Sequence, residues 1–210
     1  MRVLGVDPAA AGPTGYGIVE SDGRCCRMLD YGALKTGAKR RMTSSGGALQ
    51  DVHELICGLI KDFSPDVLAI ESVFSALNVR TALRLAEVRG VVLLAAAQHG
   101  LQVHSYAPRE VKANIAGHGH ADKRQMQTMV RALLSMNVIP EPADAADALA
   151  VALCHLQAER VRLRLGLPHH KGAARSALVA RKAADSVNAM PAMQISSATR
   201  TRFPRILTTR

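Results

Sequence analysis

The sequence has few aromatic residues, few cysteines and no long apolar run, and each shortage disfavours a class of protein. Its 210 residues include no tryptophan, three tyrosines and three phenylalanines, which disfavours a protein that binds single strands by stacking bases on aromatic rings. The four cysteines contain no Cys-x-x-Cys pair, so we expect reduced thiols and a cytoplasmic location. Apolar runs such as GVVLLAAA are too short to span a membrane, and the first residues contain no apolar signal core. We therefore expect neither export nor membrane insertion.

Positive charge is the main excess in the composition, and it is unevenly distributed. The formal net charge is +10, yet residues 158–210 carry 11 Lys and Arg against 2 Asp and Glu, whereas residues 1–157 carry 16 against 15. An excess of this kind indicates a polyanionic partner, either nucleic acid or an anionic membrane. The sequence predicts one α/β domain over residues 1–165, followed by a basic tail over residues 166–210. Because the tail has no sustained apolar face, we expect it to be disordered.

The hydrophobic pattern predicts a mixed five-stranded sheet flanked by helices. Three strands should form an antiparallel meander, and two later strands alternate with helices, which is typical of parallel pairing. The predicted strands are RVLGVD, TGYGIVES, CCRMLDYGALKT, DVLAIES and LQVHSYA. Helices are predicted over residues 49–60, 79–99 and 122–136, from residue 108, and from residue 143 past residue 160.

Four acidic residues occupy positions where they could meet. Asp7 and Glu71 end apolar strands, and Asp144 and Asp147 lie three residues apart, on one face of a helix. If that helix crosses the strand ends, four carboxylates converge, and such a cluster stays ionised only when cations occupy it. Oxygen ligands favour Mg²⁺ or Mn²⁺. Two such ions could activate a water molecule and stabilise the leaving oxygen during phosphodiester hydrolysis.

Each acidic residue also has a structural interpretation. Asp144 suits the first turn of a helix as a cap or dipole partner, and Asp7 could begin an Asp-Pro turn. Asp147 lies deeper in an alanine-rich apolar segment, and Glu71 would be costly to bury without a partner. The combined positions of the four carboxylates therefore favour a functional site.

Several motifs in one order resemble the RuvC family of Holliday-junction resolvases, whose fold is that of ribonuclease H. The resemblance covers roughly residues 1–160, and the matching segments are LGVDP with TGYGIV, PDVLAIESVF, ALRLAEVRGVVLLAAA, YAPREVKANIAGHGHADKRQMQTMVRALL and ADAADALAVALCH. It implies an endonuclease acting in recombination and repair that makes paired symmetric nicks in four-way DNA junctions. It also implies an Mg²⁺-dependent homodimer that works with a branch-migration helicase complex. The family's acidic tetrad falls on Asp7, Glu71, Asp144 and Asp147.

The resemblance assigns further residues to DNA binding. Phe74 matches an aromatic residue that wedges against bases at the junction point, although a core phenylalanine would occupy the same position. Lys112 and Lys123 match basic residues near the scissile phosphate. Arg80 begins a segment, ending at Arg131, with eight Lys and Arg against three Asp and Glu, an excess suited to phosphates but also to a solvated helix face. The helix from residue 79 is the predicted dimer interface.

The sequence departs from the family pattern at two loops. The family has Asp-Pro-Gly after the first strand, whereas this chain has Ala9 after Pro8 and an additional proline at Pro13. The entry to the first helix reads MTSSGGALQDV instead of a Leu-Arg-Leu type. These differences predict altered loop geometry beside Asp7 and weaker contacts at the helix entry.

Two other functions remain as alternatives. The segment GVDPAAAGPTGYGIV resembles the phosphate motif of actin or sugar-kinase-type ATP phosphotransferases, but 210 residues leave no room for their second domain. A non-catalytic relative could bind nucleic acid through its basic tail, although four acidic residues facing phosphates would weaken such binding. His118 and His120 lack cysteine partners for a metal site, and Cys154 and His155 are adjacent on a helix, which disfavours a catalytic pair.

Overall fold

The computed structural model describes residues 1–9, 12–35, 45–72 and 78–167, with the side chain of residue 45 excepted. In this part of the chain, five strands form a single sheet with the order β3-β2-β1-β4-β5. The strands are β1 (Arg2–Asp7), β2 (Thr14–Ser21), β3 (Cys26–Leu34), β4 (Val67–Glu71) and β5 (Gln102–Tyr106). The helices are α1 (Ser45–Phe63), α2 (Val79–Gln98), α3 (Pro108–Ala116), α4 (Lys123–Leu133) and α5 (Ala143–Arg164).

The pairing of the strands confirms the predicted mixed sheet. The first three strands form an antiparallel meander, with an irregularity in register between Ile18 and Val19. β4 pairs parallel to β1, and β5 pairs parallel to β4. The carboxyl ends of β1, β4 and β5 therefore lie at the same edge of the sheet.

Two separate hydrophobic cores cover the two faces of the sheet. Alternate side chains of β1 and β4 point to opposite faces, so Val3 and Ala69 pack on one side while Leu4 and Ile70 pack on the other. The first core lies under α3, α4 and α5, and the second lies under α1 and α2. We refer to these as the α5 face and the α2 face of the sheet.

α5 lies unusually close to the sheet because glycines face it. A Cβ atom at Gly5 would lie 2.1 Å from the carbonyl oxygen of Ala148, and one at Gly15 would lie 2.0 Å from the carbonyl oxygen of Asp144. Both distances are too short for any side chain, so these positions require glycine for the observed approach. The helix is nearly all buried from Ala145 to Leu156, which explains its alanine-rich composition.

The observed boundaries differ from the predicted ones in a few places. α1 begins at Ser45, so Gly46 and Gly47 form its first turn instead of belonging to the preceding loop. α4 ends at Leu133, three residues early, because Ser135 adopts a positive φ of 50° that a helix cannot continue through. α5 ends at Arg164, and residues 168–210, nearly all of the predicted tail, lie outside the described residues. None of the described helices is long and apolar enough to cross a membrane.

Candidate active site

Asp7 and Glu71 are the last residues of two neighbouring parallel strands. The register pairs Val6 with Ile70, so the two acidic residues lie at the same level of the sheet. Because Val3 and Ala69 point to the α5 face, strand alternation places the side chains of Asp7 and Glu71 on that face too. Both side chains are partly buried.

α5 brings the other two acidic residues to the same place. Its first residue is Ala143, and Pro142 at the N-cap position makes no side-chain capping bond. Asp144 lies in the first turn, above Gly15, and Asp147 lies about one turn further along, with 35% of its side chain exposed. The glycine positions of β1 and β2 therefore set how near these carboxylates come to Asp7.

The four carboxyl groups interact strongly with one another. Burial, followed by the charge of Glu71 and then of Asp147, raises the pKa of Asp7 to about 9, and a hydrogen bond to Glu71 and the charge of Asp144 add to this. At neutral pH the Asp7 carboxyl group is therefore protonated without a cation, and it donates its proton to the Glu71 carboxylate. A carboxyl group with such a pKa is typical of a functional site.

Two lysines partly offset this accumulation of negative charge. Burial raises the pKa of Glu71, against the opposing hydrogen bond from Asp7 and the charge of Lys112. Burial likewise raises the pKa of Asp147, whereas Lys123 and Lys112 act in the opposite direction. The Nζ atom of Lys123 lies 3.6 Å from Oδ2 of Asp147. The structure thus brings the predicted tetrad and both predicted lysines to one edge of the sheet.

Among the described residues, no three His, Cys, Asp or Glu side chains form a group spaced to hold a metal ion. The side chains instead form a hydrogen-bonded and ion-paired arrangement, in which Asp7 bonds Glu71 and Lys123 pairs with Asp147. The donor set nevertheless consists of carboxylate oxygens alone, which is the chemistry that hard divalent cations prefer. Cations at this edge would also relieve the repulsion that raises the pKa of Asp7.

The remaining predicted residues have different positions. Arg80 lies exposed in the first turn of α2, and Phe74 lies outside the described residues. His118 and His120 are exposed in the loop between α3 and α4. Ala9 and Pro13, at the altered loop beside Asp7, are both partly buried.

Cys154 and His155 are buried in α5 and belong to the core. Burial raises the pKa of the Cys154 thiol to about 12, so the thiol is neutral and a poor nucleophile. Nδ1 of His155 lies 2.7 Å from the hydroxyl oxygen of Tyr106. These contacts agree with the expectation that the two residues do not form a catalytic pair.

Sequence reasoning missed the residues that hold the acidic groups in place. Gly5 and Gly15 admit α5 to the sheet, and Arg89 of α2 bonds the backbone of Glu71. An arginine in a helix carries no local pattern that reveals such a role. The signal for Gly5 and Gly15 is their position inside apolar strands, where glycine indicates close approach of another backbone.

Comparisons with known proteins identify the family. A family model described as crossover junction endodeoxyribonuclease RuvC matches residues 3–155. A relative of that name from Chloroflexus aurantiacus is 47% identical over 167 residues, which are 80% of this chain and 99% of the relative. Another from Natranaerobius thermophilus is 42% identical over 165 residues, which are 79% of this chain and the whole relative.

Solved structures agree with the sequence comparisons. The structure of Thermus thermophilus RuvC in complex with Holliday junction substrate has a TM-score of 0.71 and 33% identity, covering 77% of this chain and 96% of that one. The yeast mitochondrial Holliday junction resolvase Ydc2, at 14% identity and a TM-score of 0.54, shares the fold. These neighbours confirm the predicted ribonuclease H-like fold. The chain therefore belongs to the RuvC family of crossover junction endodeoxyribonucleases.

Proposed function

We propose that this protein is an endonuclease that resolves four-way DNA junctions by metal-dependent phosphodiester hydrolysis, making paired symmetric nicks. The observation that carries the proposal is the convergence of Asp7, Glu71, Asp144 and Asp147 from two strands and one helix, with the pKa of Asp7 raised to about 9. A purely structural protein gains nothing from carboxylates that raise one another's pKa. Family membership, with a relative solved on a Holliday junction substrate, supplies the substrate class.

The four carboxylates would hold the divalent cations, which we propose are two Mg²⁺ ions, with Mn²⁺ as a substitute. Their donor chemistry suits these ions, and the unfavourable ionisation of Asp7 and Glu71 gives cation binding an electrostatic driving force. When bound, such ions lower the pKa of a nucleophilic water and stabilise charge on the leaving oxygen. The roles of the protein residues are to hold ligands, orient the phosphate and balance charge.

Lys112 and Lys123 are the residues that we assign to the scissile phosphate. Both already act on the carboxylates, Lys112 on Glu71 and Asp147 and Lys123 directly on Asp147. The side chain of Lys123 is 58% exposed, so it can exchange its carboxylate partner for a phosphate oxygen. Arg80 is proposed as a more distant phosphate contact, and Phe74 as the wedge at the junction point.

We propose a homodimer, because a two-fold substrate that is cut symmetrically suits a two-fold protein. The proposed interface is α2, which exposes a stripe with Leu83 and Leu94 at 62% and 53% exposure. Gly90 lies between them on the same helical face, and a Cβ atom there would meet nothing within 4 Å. An apolar stripe of this kind is expected to pack against a second helix.

By the same family resemblance we propose a branch-migration helicase complex as a further partner. We also propose a cytoplasmic location, which the free cysteines fit.

The two alternative functions are less well supported. A phosphotransferase would close a second domain over its nucleotide, whereas the family match spans residues 3–155 as a nuclease. A binding protein without catalysis would not need carboxylates facing phosphates, since they oppose the electrostatic attraction.

The experiment that tests the proposal compares a labelled four-way junction with a linear duplex of the same arm sequence. Each substrate is incubated with the full-length protein in Mg²⁺ and in EDTA. We expect paired nicks at symmetric positions in the junction, only with Mg²⁺, and little cleavage of the duplex. Equal cleavage of both substrates would instead identify a general nuclease, and cleavage in EDTA would exclude the metal mechanism.

A further inference from the structure

Arg89 extends from the middle of α2 to the ends of two strands. Its Nη1 atom donates a hydrogen bond of 3.0 Å to the backbone carbonyl oxygen of Glu71, and its Nη2 atom donates one of 2.6 Å to Oγ of Ser105. Arg89 therefore joins the last residue of β4 to the neighbouring strand β5 and to α2. Glu71 is the residue whose side chain we assign to the metal site.

Arg89 approaches Glu71 from the face opposite the carboxylates. The core on the α2 side includes Ile70 and, partly buried, Val88, Val91 and Val103, whereas the side chain of Glu71 faces α5. The guanidinium thus contacts the backbone of Glu71 and not its carboxylate. In agreement, the groups that shift the pKa of Glu71 are Asp7, Asp147 and Lys112, in addition to burial.

The charged side chain of Arg89 orients neutral acceptors, a backbone carbonyl and a hydroxyl. In the part of the chain that the structure describes, no carboxylate pairs with it, and burial lowers its pKa, although a guanidinium stays protonated throughout the accessible pH range. Partial burial of a cation without a carboxylate partner has a desolvation cost. Two donors held in a rigid fork, however, fix the direction of two acceptors at once.

β4, whose last residue Arg89 contacts, ends at the edge of the sheet where the four carboxylates lie. Ser72, directly after Glu71, donates both its backbone N–H and its hydroxyl to the carbonyl oxygen of Tyr106, at 2.9 and 3.0 Å. Ser72 and Arg89 together fix the peptide between Glu71 and Ser72. The direction of that peptide determines where the Glu71 side chain points.

We propose that Arg89 is a positioning residue, which orients Glu71 through its backbone carbonyl and so sets the geometry of the carboxylate site. This inference rests on the proposed function, because the expected defect is in metal binding and in the rate of phosphodiester cleavage. Loss of a residue that orients a metal ligand typically costs about 10- to 100-fold in metal affinity or activity.

The test uses Arg89→Met, which keeps the apolar stem of the side chain but removes its donors, and Arg89→Lys, which keeps the charge but has a single donor nitrogen in place of the fork. We expect Arg89→Met to lower the single-turnover cleavage rate about 10- to 100-fold at saturating protein and to raise the Mn²⁺ concentration needed for half-maximal rate. Junction affinity should change by no more than about threefold, because both donors of Arg89 bind protein acceptors and not phosphates. Arg89→Lys should recover part of the rate.

Two control variants separate position from charge. Arg24→Ala removes the same charge from an exposed position in the turn between β2 and β3, at the opposite end of the sheet, and we expect its single-turnover rate to equal that of the parent. Ser105→Ala removes one acceptor of Arg89 but leaves the Glu71 bond, and we expect a change below about threefold because the Glu71 contact persists. Mn²⁺ binding without DNA, measured by calorimetry, should weaken in Arg89→Met and, to a smaller extent, in Arg89→Lys, but in neither control variant.

Parental cleavage and Mn²⁺ binding in Arg89→Met would overturn the inference. A defect that excess protein fully restores would also overturn it, because Arg89 would then be a phosphate contact. Thermal unfolding of each variant shows whether the fold is retained, and if Arg89→Met does not fold, Arg89→Lys carries the same comparison. Failure of the parent to cleave the junction would contradict the proposed function instead, whereas the Mn²⁺ titration would still test Arg89.

Discussion

Carboxylates at the two ends of the sheet have pKa values that are shifted in opposite directions. At the end where β1 begins, Glu20 accepts hydrogen bonds from Arg2 at 2.8 Å and Arg27 at 2.9 Å, and these bonds lower its pKa. At the end where β1 finishes, burial and other carboxylates raise the pKa of Asp7. The first arrangement stabilises the fold, whereas the second reduces its stability until cations bind, as expected where residues are selected for chemistry.

Replacing a carboxylate with the corresponding amide should give the largest difference in cleavage rate between the two ends of the sheet. We expect Asp7→Asn and Glu71→Gln each to lower junction cleavage about 10²- to 10³-fold, because each removes a carboxylate that would hold the cations needed to stabilise charge in the transition state. Glu20→Gln should leave the rate unchanged, since Glu20 lies at the opposite end of β2. Single-turnover cleavage of a labelled junction measures all three. A comparable loss in Glu20→Gln would remove the distinction between the ends.

Gly15→Ala tests whether close packing of α5 positions the carboxylates. The added Cβ atom would collide with the carbonyl oxygen of Asp144, so the start of α5 must move outward. We expect a cleavage rate lower by about 10- to 100-fold, because displacements near 1 Å have effects of this size, and a stability loss of about 1–3 kcal/mol from overpacking.

Gly58→Ala is the matched control for this substitution. Gly58 lies in α1, where a Cβ atom would meet nothing within 4 Å, so alanine should preserve cleavage and stabilise the helix by up to about 1 kcal/mol. Denaturant unfolding and single-turnover cleavage give the two quantities. If Gly15→Ala cleaves at the parental rate, the approach of α5 to the sheet does not set the site.

Most of the fold could be predicted from the sequence, because its signals are local. The apolar runs of β1 and β4 and the Pro108 start of α3 lie close to where the pattern places them. The start of α1 was not predicted, since Gly46 and Gly47 disfavour a helix and only packing of its later turns extends it to Ser45.

The candidate site was less completely predictable. The tetrad could be proposed from strand ends and helical spacing, aided by resemblance to a family. The roles of Gly15 and Arg89 depend on contacts between residues far apart in the chain, with Asp144 and Glu71 respectively. A glycine in an apolar strand indicates close approach of another backbone but not which residue approaches, and no single-sequence pattern reports the contact of Arg89. Phe74 lies outside the described residues and stays a prediction.

The carboxylates at the two ends should change the stability of the protein with pH in opposite directions. Without metal, folded Asp7 keeps its proton up to about pH 9, whereas the unfolded chain releases it near pH 3.8. Folded protein therefore binds more protons between these values, and this contribution to stability decreases as pH rises. The lowered pKa of Glu20 acts in the opposite sense, adding stability above about pH 4.5 that is lost on acidification.

Asp7→Asn should accordingly stabilise the metal-free protein at pH 8, because asparagine takes up no proton on folding; we expect about 1–3 kcal/mol, the equivalent of one to two pKa units. The variant should also flatten the decline in stability between pH 5 and pH 9. Denaturant unfolding in EDTA at several pH values measures both effects. A loss of stability in Asp7→Asn at pH 8 would mean that Asp7 is a structural residue, as Glu20 is.

The smallest expected effect concerns the basic tail, which continues from the end of α5. That helix has 22 residues and is about 33 Å long at its usual rise, so its last residue, Arg164, lies far from Asp144. Deleting the residues after Gly166 should weaken junction binding a few-fold near 0.1 M salt, and less at higher salt. The cleavage rate at saturating protein should be preserved. Loss of that rate in a folded deletion variant would place the tail in the active site.

The most direct test of the metal-site assignment is a paired measurement on Asp147→Asn. Junction binding is measured by mobility shift, and cleavage is measured in Mg²⁺ under single-turnover conditions. We expect equal or tighter binding, because the variant removes a negative charge that faces phosphates, together with cleavage reduced by about 10²-fold or more. Cleavage by Asp147→Asn at the parental rate would show that Asp147 does not hold the metal ions.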